Sequence, residues 1–140
     1  MTQVSAPKCL LVDDEYSMLQ MLEQYVEMLG FEPLLARDGD EGIAAFRRYH
    51  PSLVVSDIHM PNRNGLLLLH DVKKLNPECP VILITGLLLS YQSAISRDPV
   101  RADALIEKPF DLNKLKNAIE KLKPAIEKAW DKIDRKPPGL

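Results

Sequence analysis

Five polar residues stand where short apolar runs of the chain end: Asp13 and Asp14 after Cys9–Val12, Asp57 after Leu53–Ser56, Thr85 after Val81–Ile84, and Lys108 after Ala104–Glu107. Brought to one place, three carboxylates repel one another unless a cation joins them, and a hard divalent ion with oxygen ligands is the natural partner. Mg²⁺ fits best, because it keeps several waters and favours phosphate oxygens. A hydroxyl and an ammonium opposite such an ion suit a phosphoryl group, with Thr85 donating to one oxygen and Lys108 neutralising another. Asp57 is the centre of this set. It is the first charged residue as its strand leaves the sheet, and Pro61 and Gly65 turn the chain just beyond it.

That chemistry requires the ends of separate strands to meet. Cys9–Val12 is halted by Asp13-Asp14-Glu15, and helical spacing follows at Met18, Leu22, Tyr25, Val26 and Leu29 until Gly30. Pro33–Ala36 reads as a second strand, and Asp38-Gly39 opens a helix through Ile43, Ala44 and Phe46 that Pro51 ends. Leu53–Ser56 is a third strand, followed after Gly65 by a helix that stops at Asn76-Pro77. Val81–Ile84 is a fourth. The span from Leu87 to Ile95 predicts a short helix broken by Pro99, Ala104–Glu107 a fifth strand, and Asp111 the N-cap of a further helix. Five apolar strands separated by helices predict an α/β fold, a doubly wound parallel sheet, because parallel strands need crossover connections. Ligand sites in such sheets lie outside the carboxyl ends of the strands.

With 46% hydrophobic and 27% charged residues in 140, the chain can bury one core but hardly two. A formal net charge of −2 argues against direct nucleic-acid binding or a grip on anionic lipid. Two cysteines, Cys9 and Cys79, lie in or beside apolar runs and read as buried thiols. The apolar run Val81–Leu89 falls short of the ~20 residues that span a bilayer, and the amino terminus lacks the apolar stretch of a secretion signal. These features predict a cytoplasmic protein with no membrane segment. His59 lacks a second ligand at metal spacing on its own segment, so its side chain is expected at the mouth of the pocket. His50 and His70 read as surface residues.

Four motifs, in order, resemble the receiver domain of two-component response regulators over roughly Lys8 to Leu122: Leu11-Val12-Asp13-Asp14-Glu15, Ser56-Asp57-Ile58-His59-Met60-Pro61 with Gly65, Leu83-Ile84-Thr85-Gly86, and Glu107-Lys108-Pro109-Phe110. The resemblance implies a flavodoxin-like (βα)5 sheet in strand order 2-1-3-4-5. It implies that Asp57 accepts a phosphoryl group from a phosphohistidine on a sensor histidine kinase or a histidine phosphotransfer protein. Asp14, Asp57 and the backbone carbonyl of His59 would bind Mg²⁺ directly, Asp13 through a water, while Thr85 and Lys108 would contact the phosphoryl oxygens. A cis Lys108–Pro109 peptide is likewise implied. The domain would catalyse only its own phosphorylation and dephosphorylation and act as a phosphorylation-controlled binding module. Its switch would repack the face formed by helix 4, strand 5 and helix 5.

Leu105 departs from the family, which usually has Tyr, Phe or His at that position. The alternatives are a stand-alone phosphorelay intermediate and a degenerate receiver acting by binding alone. An aspartyl-phosphate phosphohydrolase is less compatible, since His59 stands where that family has a second aspartate. A flavodoxin-like cofactor binder lacks a phosphate loop after its first strand.

Residues 1–123 are assigned to the receiver and 124–140 to a C-terminal helical extension or linker. Leu112, Leu115, Ile119, Leu122, Ile126, Ala129 and Ile133 keep one apolar seam across Pro124, which favours a continuous extended helix. That helix would either dimerise or signal to an output element, or fold over its own receiver. A homodimer would form through it or through the helix 4–strand 5–helix 5 face. Its lysines alternate with acids and predict a solvated face; Pro137-Pro138-Gly139 reads as a frayed end.

Overall fold

A computed structural model describes residues 6–133, with Ile133 described by its backbone alone. Residues 1–5 and 134–140, including Pro137-Pro138-Gly139 and the start of the stretch read for a secretion signal, lie outside the described residues.

The elements are β1 (Lys8–Val12), α1 (Tyr16–Met28), β2 (Glu32–Ala36), α2 (Gly39–Tyr49), β3 (Leu53–Asp57), α3 (Gly65–Leu75), β4 (Val81–Thr85), α4 (Leu88–Arg97), β5 (Ala104–Glu107), α5 (Leu112–Lys121) and α6 (Lys123–Ile133). The strands form one parallel sheet in the order β2-β1-β3-β4-β5. The expected α/β doubly wound architecture is therefore the observed one. β3 and β4 are buried along their whole length, as strands covered on both faces must be, whereas the edge strands β2 and β5 are only partly covered.

Successive strand residues point to opposite faces, so each strand feeds two cores. Leu11, Val55, Ile82 and Ile84 meet Leu19, Leu22 and Val26 of α1 and Leu115 and Ile119 of α5. Leu10, Val54, Val81 and Leu83 meet Phe46 of α2 and Leu68, Leu69 and Val72 of α3 on the other side. Local signals start and stop the helices. The side chains of Asp38, Asn64 and Asp111 accept from the N–H groups of Glu41, Leu67 and Lys114, capping α2, α3 and α5. Gly30 ends α1 with φ +95°, and His50 ends α2 at φ 50°.

The C-terminal seam is carried by two helices, which corrects the expectation of a continuous one. Leu122 closes α5 with φ −94° and ψ 1°, and α6 restarts at Lys123. Pro124 has no N–H to extend the α5 ladder, yet it is well tolerated in the first turn of a new helix. The break lays α6 across the amino ends of the strands, over the receiver's own core. Ile126 and Ala129 are 4% and 0% exposed, and Ile126 joins the cluster that contains Phe31. At the far end, Lys128 and Lys132 pair with Glu78, in the loop before β4, at 3.6 and 3.3 Å.

Candidate functional site

Four strand ends deliver the predicted residues to the opposite, carboxyl edge of the sheet. Asp13 follows β1, Asp57 ends β3, Thr85 ends β4 and Lys108 follows β5. The neighbouring strand registers hold them together: Val12 is paired with Ser56, Asp57 with Ile84, and Thr85 with Glu107. Carboxylate oxygens of Asp13, Asp14 and Asp57 lie within 4.8 Å of one another, with Asp13 and Asp57 buried and Asp14 exposed. Lys108 Nζ lies 3.4 Å from Asp13 Oδ2 and 3.4 Å from Asp57 Oδ2.

Backbone donors fix the acidic side chains. The Glu15 N–H donates to Asp13 Oδ1 at 2.9 Å, and the His59 N–H beside Asp57 favours the charged form of its carboxyl. Thr85 is fully buried, and its Oγ1 accepts from the Leu87 N–H at 2.9 Å. The Lys108 N–H donates to the Thr85 carbonyl at 2.8 Å, and the Lys108–Pro109 peptide is cis. A Cβ on Gly86 would meet Lys108 Cβ at 3.7 Å, an ordinary contact, so room is left beside the lysine.

The electrostatics are those of a crowded anionic pocket. Burial pushes the Asp13 carboxyl up to about 6; the Glu15 N–H opposes that shift and the Asp57 charge adds to it. Burial also raises Asp57, with Lys108 opposing and Asp14 adding. Lys108 loses hydration on burial, but the paired charges of Asp57 and Asp13 outweigh that loss and raise its pKa. Three carboxylates against one ammonium leave a formal excess of two negative charges, which a divalent cation would cancel. The donor set is all hard oxygen, and the exposed Asp14 leaves one side open to water, as Mg²⁺ requires. The acidic pocket fits a hard divalent ion.

Sequence reasoning missed how the β3–α3 loop is held. Asn62, at φ 64°, donates to Asp38 Oδ2 at 2.9 Å. Arg63 reaches Asp40 at 3.3 Å and Asp71 at 2.9 Å. Pro61 and Gly65 signalled a turn here, and Asn64 before Gly65 is a capping residue ahead of a helix, but neither signal reports these distant partners. The His59 side chain, read as lying at the mouth of the pocket, is exposed, and its Nδ1 meets the Tyr91 hydroxyl at 2.8 Å. His70, read as an ordinary surface residue, pairs with Asp98 at 2.7 Å.

Known proteins share the family and the fold of this chain. The family model described as response regulator receiver domain matches residues 9–120. A probable transcriptional regulator, ycf27, from Porphyridium aerugineum is 33% identical over 87% of this chain and 50% of its own length. The chain spans about half the length of such curated relatives. Among solved structures, a response regulator receiver domain protein from Clostridium thermocellum superposes with a TM-score of 0.74 at 30% identity, covering 87% of this chain and 95% of that one. A CheY-like receiver domain protein from Methanospirillum hungatei JF-1 gives 0.73 at 30% identity, covering 91% and 99%. No helix among the described residues is long and apolar enough to cross a membrane.

Proposed function

This chain belongs to the response regulator receiver domain family of two-component signalling, and from that premise we propose that Asp57 is its phosphoryl acceptor. The observation that carries the proposal is Lys108 Nζ poised 3.4 Å from the buried carboxylates of both Asp57 and Asp13. One Asp57 oxygen attacks the phosphorus of a phosphohistidine on a sensor histidine kinase or histidine phosphotransfer protein. The P–N bond breaks, its electron pair stays on the imidazole nitrogen, which takes up a proton, and an acyl phosphate forms on Asp57. Lys108 neutralises a phosphoryl oxygen, and the Thr85 hydroxyl, whose oxygen already accepts from Leu87, turns its proton toward another. Asp13, Asp14, Asp57 and the His59 carbonyl would hold Mg²⁺, which supplies charge neutralisation at the transferring oxygens.

The chain acts only on itself, in the cytoplasm, and its output is a binding surface. A groove of about 600 Å³ between α4, β5 and α5, bordered by Leu88, Leu105, Ala118 and Leu122, is the surface proposed to switch. A homodimer through this face is favoured over one through the C-terminal helix, because Ile126 and Ala129 of α6 are already buried against the chain's own core.

The test is intact mass after incubation with Mg²⁺ and a small acyl phosphate or phosphoramidate. An alkali-labile adduct of about 80 Da, one phosphoryl group, is expected, absent from Asp57→Ala and from a Mg²⁺-free control. A folded, Mg²⁺-binding protein that gains no adduct would overturn the proposal and leave a receiver that works by binding alone.

A further inference from the structure

α4 is held less by packing than its neighbours. None of its ten residues is buried, and only Tyr91 and Ile95 rest, half-buried, on the core beneath. Beneath Ile95 lies a cavity of about 130 Å³ bordered mainly by Leu66, Leu69, Leu83 and Leu105, with Asp98 and Arg101 at one side, which leaves this part of the helix room to shift. Polar ties therefore set its position. The Leu87 N–H reaches Thr85 Oγ1 at 2.9 Å just before the helix starts. One turn in, the Tyr91 hydroxyl meets His59 Nδ1 at 2.8 Å, the two rings tilted by 55°.

The last turn is tied separately, by Arg101 donating to the Ile95 and Ser96 carbonyls at 3.2 and 3.3 Å and by the C-cap Asp98 meeting His70 at 2.7 Å, whereas both ties at the start of the helix end on the phosphoryl site. His59 lies two residues beyond Asp57, with only Ile58, whose N–H is held by the Ile84 carbonyl at 2.9 Å, between them, so a change in the charge and shape of that carboxylate acts on the His59 segment through a short stretch of fixed backbone. Leu105 is 41% exposed and has no polar atom with which to answer such a change. The Tyr91 ring already lies on the core, and its hydroxyl is the group that meets the site.

We propose that Tyr91 is a positioning residue that couples the phosphoryl site to α4 through its hydrogen bond to His59. The inference rests on the reading of Asp57 as the phosphoryl acceptor. While the bond holds, α4 is drawn against the β3–α3 loop; phosphorylation displaces His59, releases Tyr91, and lets α4 slide over the cavity below it. A helix with few buried contacts and a short polar tether exchanges between such positions at small cost.

The test uses Tyr91→Phe, which removes one oxygen and keeps the ring on the core, with amide hydrogen exchange of residues 88–97 read with and without Mg²⁺ and beryllofluoride as a phosphoryl mimic. In the wild type, beryllofluoride is expected to speed exchange across α4. In the variant, exchange without the mimic should already be about fivefold faster, the effect of losing one ordinary hydrogen bond, and should respond little to beryllofluoride. Binding of the mimic, followed by fluorine NMR, should tighten by up to about fivefold in the variant, because coupling is reciprocal and the variant has no Tyr91–His59 bond left to break. Unchanged α4 exchange in Tyr91→Phe, free and bound, would overturn the coupling. Failure of beryllofluoride to bind the wild type at all would overturn the Asp57 reading and the coupling with it. The two failures appear in different measurements.

Discussion

Gly65 lies so close to the backbone of Asp57 that a Cβ there would overlap the Asp57 carbonyl oxygen and stand 2.9 Å from Ile58 Cα. The first residue of α3 thus presses directly on the strand end that carries the acceptor, and its N–H closes the loop by donating to the Ile58 carbonyl at 2.9 Å. A side chain at this position has only backbone to push against, and backbone cannot move aside cheaply.

Gly65→Ala is therefore expected to destabilise the domain by about 2–3 kcal/mol in urea unfolding, the cost of overpacking against fixed atoms. Gly86→Ala should fall within about 0.5 kcal/mol of the wild type, as its new methyl meets only the flexible Lys108 side chain. Equal losses in the two variants would contradict the geometry.

Lys108→Met removes the one ammonium between Asp13 and Asp57 while keeping most of the stem. Phosphorylation by a small donor should slow on the order of 10²–10³-fold, the usual consequence of deleting a preorganised charge at a transferring group. A time course of intact mass at saturating Mg²⁺ measures it.

The metal-free protein should lose stability as pH rises through the weakly acidic range. Asp13, at about 6, lies above its ordinary value of 3.8, and Asp57 is raised in the same direction. Between those values the folded state holds more protons than the unfolded one, so stability falls as pH increases from about 4 to about 6. The lowered carboxylates Asp38 and Asp98 act below that window, Glu78, lowered from 4.5 beside Lys132 and Lys128, acts with the opposite sign only at its foot, and the raised Lys108 acts above it. Up to about 3 kcal/mol is at stake for Asp13. Thermal melts without metal should show the slope, Asp13→Asn should flatten it, and Mg²⁺ should raise the melting temperature near pH 7 far more than near pH 4.5.

Ile126→Ala should cost about 2–4 kcal/mol, as for a large-to-small change in a core, because Ile126 is 4% exposed within the receiver's own cluster. The loss should not vary with protein concentration. A concentration-dependent midpoint would instead place α6 in a dimer interface.

Neither thiol should react with a thiol reagent in the native protein at pH 8. Burial raises Cys9 well above its ordinary value and pushes Cys79 up to about 12, so thiolate is scarce and access is closed. Titration with a chromogenic disulfide should count both only after denaturant is added.

Much of the site was legible in the linear order of residues because its signals are local. An apolar run that stops at a polar residue marks a strand end within a few positions, and Asp13, Asp57, Thr85 and Lys108 each follow such a run. Asp38, Asn64 and Asp111 cap the helices that follow them by bonds spanning three residues. The alternation of strand and helix then permits few sheets, since crossovers between parallel strands take one hand.

Other features joined residues that no period connects. Tyr91 meets His59 across 32 positions, His70 meets Asp98 across 28, and Asn62 reaches Asp38 across 24. The seam of Leu115, Ile119, Ile126 and Ala129 was plain in the sequence, but an apolar stripe records only that something covers it. The bend at Leu122 decided that the cover is the chain's own core around Phe31. Sequence by itself thus determined which groups stand at which strand ends, because backbone geometry and burial dictate that within a few residues. Only the tertiary structure decided which side chains from distant elements share a hydrogen bond or a core, because those choices follow from the angles at which whole elements pack.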